Sequence, residues 1–152
     1  MSETAPIRDA GDSPIAMPQP SIDTEFFWRS GEDGLLRIQR CRQCTRYAHP
    51  PTPRCRRCGA QDLEPAVVSG SATVFSYTVS RHTFVPWQPA PYVLAIVELV
   101  EDGDVHLTTR IVDIPPDDMR IGLPVSVTFE RHGSVHLPLF GPRRELHKGS
   151  QE

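Results

Sequence analysis

A mainly β fold, with one short helical segment and one metal-stapled ribbon, is predicted by three features of this 152-residue chain. All four cysteines fall in two Cys-x-x-Cys pairs, Cys41/Cys44 and Cys55/Cys58. Five short apolar or alternating stretches follow residue 66, separated by turn residues. Sixteen prolines favour loops, edges and short strands over long helices. A Cys-x-x-Cys turn aims two thiolates at one point, and two such turns facing each other make a tetrahedral sulfur site that suits zinc. Five hairpin-linked strands suit a closed barrel, with an OB-fold the first choice and an SH3-like barrel the second. The expected division is a disordered tail over 1–20, an aromatic helical segment over 21–36, a zinc ribbon over 37–65, an OB-fold over 66–141 and a disordered tail over 142–152.

Each element has a local reason. The first twenty residues hold Pro6, Pro14, Pro18 and Pro20 among small and acidic residues and show no core-forming pattern. Ser21 can cap a short helix, with Asp23 and Glu25 near the positive end of its dipole. Phe26, Phe27 and Trp28 follow, and three adjacent aromatics cannot share one helix face. Either they fold back onto the ribbon or one edge stays exposed for a partner. Leu35, Leu36 and Ile38 lead into the first cysteine pair. Gly59 suits the turn that closes the second knuckle, whereas Thr45 at the matching place implies a different closure of the first. Pro50, Pro51 and Pro53 stiffen the loop between the pairs. Ser69-Gly70-Ser71 reads as a bulge or bend. Thr73 to Arg81 alternates as a half-buried strand, and Tyr92 to Val100 is a near-continuous apolar run that reads as a central strand. Between them lies a loop with His82, Phe84, Trp87 and three prolines. Glu101 to Asp104 is a hairpin turn into Val105 to Val112. Pro115 to Asp118 is a rigid turn. Val125 to Arg131 and Val135 to Phe140 pair across a His132-Gly133 turn.

The cysteines form a full four-ligand set, so a metal there is structural and no thiol is left to attack a substrate. Iron fits the same cage. No signal peptide is visible, and a reduced cytoplasm argues against the alternative of disulfides. The ribbon is expected to need its metal to fold. Arg37, Arg40, Arg42, Arg46, Arg54, Arg56 and Arg57 crowd this region with no Asp or Glu between them. They either offset the charge of the tetrathiolate or present an anion-binding patch. No apolar run approaches the ~20 residues that span a membrane.

No G-x-S-x-G elbow, G-x-G-x-x-G turn or phosphate-binding P-loop occurs. The histidines at 49, 82, 106, 132, 136 and 147 are scattered, with His49 and His82 in aromatic- or proline-rich loops. Nothing assembles an acid–base pair, so no catalytic residue is assigned. Nucleic-acid binding is the rival class for a ribbon and barrel. A net charge of −3, a pI near 6.1 and the lack of a basic stripe along the strands argue against it.

The ordered set of motifs resembles a known family. They are Phe27-Trp28, Leu36 to Cys44, Pro50-Pro51, Cys55 to Gly59, Ser69 to Thr78, Pro91 to Leu99, Ile121 to Val125 and Leu137 to Phe140. The family is the OB-fold proteins with an N-terminal rubredoxin-like zinc ribbon, long filed as domain of unknown function thirty-five. The likeness covers about residues 22 to 141; Thr45 and Thr52 depart from it. It implies a non-catalytic accessory subunit that bridges subunits of a thiolase-superfamily enzyme and helps form its acyl-CoA site, with the CoA thioester shared between them. Such partners include thiolases, steroid side-chain aldolases, polyketide-pathway acetyltransferases and archaeal hydroxymethylglutaryl-CoA synthase assemblies. On that reading Phe26, Phe27, Trp28, Phe84 and Trp87 are candidate partner anchors. Arg40, Arg42, Arg56, Arg57 and His82 are candidate contacts to acyl-CoA or to the partner.

Overall fold

The computed structural model describes residues 3–11 and 16–144. In chain order it contains β1 (Ile7–Asp9), α1 (Glu25–Trp28), β2 (Arg37–Cys41), β3 (Tyr47–Ala48), β4 (Leu63–Val67), β5 (Ser71–Ser80), β6 (Tyr92–Leu99), β7 (His106–Ile111), β8 (Pro124–His132) and β9 (Val135–Pro142). Single 3-10 turns sit at Ser30–Glu32 and Pro116–Asp118. No helix among the described residues is long and apolar enough to cross a membrane.

The five expected barrel strands are β5 to β9. They run in the order β8-β5-β6-β7-β9, and β8 pairs back onto β9 to close the barrel. Alternation decides what fills it. Val93, Ala95, Val97 and Leu99 of β6 point inward against Leu107 and Ile111 of β7, Val125, Val127 and Phe129 of β8, and Phe140 of β9. The near-continuous apolar run of β6 is nevertheless covered on one side only: Leu94 and Ile96 face outward and are exposed. The last hairpin turns at Gly133-Ser134, one residue later than expected, because His132 still pairs with Val135. The left-handed φ of Gly133, 62°, makes that tight turn.

The ribbon is a separate three-stranded sheet, β3-β2-β4. Strand β4 crosses the expected boundary at residue 65, since Ala66 and Val67 pair with Ile38 and Arg37 of the ribbon. Gly70 then bends the chain into the barrel. Its φ is 76°, and a Cβ there would sit 2.3 Å from Val127 Cγ1. Of the bulge or bend expected at Ser69-Gly70-Ser71, the bend is what forms, and a separate register shift lies further on, between Val74 and Ser76.

The N-terminal segment departs most from expectation. Ile7–Asp9 pairs in parallel with Phe129–Arg131. Ala5 is buried and donates its N–H to Gly34 O at 2.7 Å, and Pro6 O accepts from Phe129 N–H at 2.9 Å. A three-residue strand takes its order from backbone partners, which no apolar periodicity announces. Residues 1–2, 12–15 and 145–152 of the two expected tails lie outside the described residues; Gly141 and Pro142 belong to β9. The helix is also shorter than the aromatic segment around it. Ser21 opens a turn rather than capping the helix: its N–H donates to Thr24 Oγ1 at 3.0 Å and its carbonyl accepts from Glu25 N–H at 2.8 Å.

Ribbon and barrel meet at the β6–β7 turn. The Asp102 side chain is 4% exposed. Its Oδ2 accepts from Tyr47 N–H at 3.2 Å, its Oδ1 accepts from Asp104 N–H at 3.1 Å, and Arg46 Nη2 lies 3.1 Å from Oδ1. Arg46 also pairs with Asp104. One carboxylate on the barrel thus holds the first knuckle and the strand after it.

Candidate functional site

The metal centre follows from two nearly equivalent knuckles. Thr45 N–H donates to Cys41 O at 2.9 Å and Gly59 N–H donates to Cys55 O at 2.9 Å. Cys41 N–H reaches Arg46 O at 2.9 Å and Cys55 N–H reaches Ala60 O at 2.8 Å. Thr45 has φ 62° and Gly59 has φ 75°. The first knuckle therefore closes as the second does, contrary to the expectation from its missing glycine, with a threonine held in the left-handed region. A residue with a Cβ pays about 1–2 kcal/mol there. Thr45→Gly is expected to raise stability by roughly 1 kcal/mol, less what the freer glycine loses from the unfolded chain. Urea unfolding of the metal-loaded protein measures this; a destabilised variant would contradict it.

The four Sγ atoms lie within 4.8 Å of one another. Cys41 and Cys58 approach to 3.6 Å and Cys44 and Cys55 to 3.5 Å. These separations are far beyond a disulfide at ~2.05 Å and close to the ~3.8 Å edge of a tetrahedron with bonds of ~2.3 Å. The donor set fits a structural metal. Backbone N–H groups of Cys58 and Arg57 lower the Cys55 thiol to about 6. The Ala60 N–H acts in the same direction on Cys58, but desolvation and the neighbouring thiols outweigh it and raise that thiol to about 11. Four thiolates this close repel one another, and a divalent cation between them removes that conflict.

The loop between the cysteine pairs is fixed by Gln39, whose side chain accepts from Thr52 N–H at 2.8 Å and donates to Thr52 O at 3.0 Å. This ties the loop that carries His49, Pro50 and Pro51 to β2 of the ribbon. Two hollows flank the loop. One, about 530 Å³, is a largely apolar cleft between Trp28 of α1, Pro50 and Pro51, and the barrel residues Leu94, Leu137 and Leu139. The other, about 460 Å³, is lined by Arg46, Tyr47, Arg56, Arg57 and the carboxylate of Asp104. His49 borders both. Its ring packs on Phe27 at 4.6 Å, and burial lowers its pKa to about 4, so it is neutral at ordinary pH. Among the described residues no protein group hydrogen-bonds its ring.

The expected site residues divide. Phe27 is buried under the cleft, with Trp28 edge-on at 4.9 Å, so Phe27 is a core residue rather than an exposed anchor. Trp28 is half-buried in the cleft wall, and Phe26 is half-buried on the other side of α1 beside Arg29 and Pro65. Arg42 pairs with Glu64 at 2.7 Å, and Arg40 lies over the Tyr47 ring at 5.6 Å. Arg56 and Arg57 are exposed and form no ion pair among the described residues. Phe84 is 72% and Trp87 43% exposed. His82, also exposed, meets Phe84 edge-on at 4.9 Å. Trp87 lines a different hollow, with Arg8, Tyr92 and Ile114, so the 81–91 loop and α1 do not share one cavity. Sequence reasoning missed Asp102, the cleft face of Leu94 and the two leucines of β9. Only the outward-facing apolar residues of β6 offered a signal.

Two family models match side by side: the ChsH2 rubredoxin-like zinc ribbon domain over residues 28–64 and the ChsH2 C-terminal OB-fold domain over residues 66–130. The chain is 38% identical over 128 residues to a probable enoyl-CoA hydratase alpha subunit of Thermomonospora curvata, covering 82% of this chain and 40% of that protein. It is 38% identical over 96 residues to a DUF35 domain-containing scaffold protein of Methanothermobacter thermautotrophicus, covering 60% of this chain and 69% of the relative. Among solved structures, a chain of the Ltp2-ChsH2(DUF35) aldolase superposes with a TM-score of 0.74 at 36% identity, covering 83% of this chain and 98% of that one.

Proposed function

Since this chain belongs to the family built from a ChsH2-type zinc ribbon and OB-fold, we propose that it is a non-catalytic accessory subunit of a thiolase-like acyl-CoA enzyme. It bridges that enzyme's subunits and contributes a wall of the acyl-CoA site, while the partner supplies the reacting groups. Zinc is the metal held by Cys41, Cys44, Cys55 and Cys58. The observation that carries this reading is the pair of hollows on either side of His49. One is apolar and the other carries Arg56 and Arg57, which form no ion pair among the described residues, beside the paired Arg46 and Asp104; this suits a ligand with an apolar arm and a phosphate-bearing head. The thiol and the imidazole that line the arginine-bearing hollow, Cys55 and His49, are not read as a catalytic pair, because Cys55 belongs to the four-ligand metal set. The names of the relatives, an enoyl-CoA hydratase subunit, a scaffold protein and an aldolase, are consistent with a part in a larger enzyme.

The rival nucleic-acid reading finds little support on the barrel. Strands β5 and β6 contain no Lys or Arg, and the exposed face they present with Phe75, Leu94 and Ile96 has no cations to follow a phosphate backbone.

Phe84 and Trp87 are the proposed protein-facing anchors, as large exposed aromatics on a proline-braced loop. Trp87→Ala is expected to change the stability of the free chain by less than about 1 kcal/mol and to weaken association with the co-expressed enzyme subunit at least about tenfold. Thermal melting and co-purification measure the two quantities. A destabilised variant, or a stable one that binds normally, removes Trp87 from the interface.

A further inference from the structure

The cleft between α1, the His49-Pro50-Pro51 loop and the outer face of β6, β7 and β9 is more than a gap between two packed units. Its floor is made by Leu94, Leu137 and Leu139, side chains that a barrel would otherwise expose to water. Its far wall is Trp28, itself braced edge-on by the buried Phe27. The loop wall cannot swing freely, because Gln39 holds Thr52 with two hydrogen bonds and Asp102 holds Tyr47. A walled apolar cleft of about 530 Å³ is within the range of ~300–1,000 Å³ usual for small-molecule sites. His49 stands at the boundary with the arginine-lined hollow, with no hydrogen-bond partner in the protein among the described residues. The ring is half-buried, so a ligand oxygen in the cleft would replace solvent as its hydrogen-bond partner. The neutral ring can donate from one nitrogen and accept at the other, which suits a carbonyl that accepts or a hydroxyl that does both.

We propose that this cleft seats the apolar acyl group of the thioester, and that His49 recognises an uncharged oxygen on that group or on its thioester while Arg56 and Arg57 take the phosphates. The proposal rests on the acyl-CoA reading and adds to it a direction of binding and a recognition residue. It also separates the two aromatic clusters: Trp28 contacts ligand, whereas Phe84 and Trp87 contact protein.

The test is equilibrium binding of three probes to the full metal-loaded chain: S-octanoyl-pantetheine, octanoyl-CoA and CoA. S-octanoyl-pantetheine carries the acyl arm without the nucleotide phosphates. His49→Phe keeps an aromatic ring against Phe27 but removes hydrogen bonding, and His49→Gln keeps hydrogen bonding. The expected result is that His49→Phe weakens S-octanoyl-pantetheine binding about tenfold, the equivalent of one lost hydrogen bond, while His49→Gln binds within about threefold of wild type. Replacing Arg56 and Arg57 by Gln weakens octanoyl-CoA and CoA but leaves S-octanoyl-pantetheine unchanged. Undiminished binding by His49→Phe, or no binding of S-octanoyl-pantetheine to the wild-type chain, overturns the proposal. If CoA and octanoyl-CoA bind equally well through the arginines, this seat for the acyl group is wrong and the accessory-subunit reading stands. If S-octanoyl-pantetheine binds through His49 but no enzyme subunit associates with the chain, the site stands and that reading falls.

Discussion

Stripping the metal, or replacing Cys55 by Ser, is expected to unfold the ribbon and to cost the chain at least about 3 kcal/mol of stability. The ribbon has very little else to hold it. Strand β3 is two residues long and β4 five, and between the knuckles the chain is largely loop. Cys41 is buried at the end of β2 and Cys55 is buried opposite it, so both knuckles depend on the cluster for their closing contact. Structural zinc in comparable small sites contributes apparent binding energies on the order of 10 kcal/mol, which becomes folding energy because the unfolded chain has no formed site. The loss should spread beyond the ribbon. Leu36 and Ile38 are fully buried in the same apolar cluster as Val68 and Phe129, so a melted ribbon opens one side of the barrel core. Chelation followed by circular dichroism and urea unfolding measures this. A metal-free protein with an unchanged unfolding midpoint would contradict it.

Asp102→Ala has the second-largest expected effect, a loss of about 2–3 kcal/mol. The change leaves Tyr47 N–H and Asp104 N–H without their acceptor and Arg46 without its buried partner. Arg46 is partly exposed and can turn to water and to Asp104, which keeps the cost below that of a fully buried pair. Asp104 is the control two residues away. It is 83% exposed, and its replacement by Ala should stay within about 0.5 kcal/mol although it also pairs with Arg46. Equal effects at the two positions would show that the ribbon is not held through Asp102.

This contrast shows what could be seen in the sequence. Glu101-Asp102-Gly103-Asp104 reads as a polar hairpin turn, and it is one. Which acid turns inward depends on a knuckle more than fifty residues earlier, as in the 55-residue separation of Tyr47 and Asp102, and no local pattern carries that. The cysteine pairs were legible because four thiols in that spacing have few other uses. The five barrel strands were legible because burial on one face forces alternation. The knuckle at Thr45 was misread because a left-handed threonine is tolerated when its surroundings compensate, whereas residue type alone points to glycine. Strand β1 was missed because its order comes from the backbone of β8. The cleft was invisible for a related reason: Trp28, Pro50, Leu94 and Leu137 meet only after the ribbon has docked on the barrel.

The central claim is that this chain works as an accessory part of an acyl-CoA enzyme. Its most direct test is acyl-CoA turnover by the chain alone, by the co-expressed thiolase-like subunit alone and by the purified pair. The account predicts no turnover by the chain, a stable complex, and activity that rises when the two are combined and disappears when the partner's nucleophile is removed. Turnover by the highly purified chain alone, lost on changing one of its own residues, would contradict it, as would a partner that is fully active and never binds the chain.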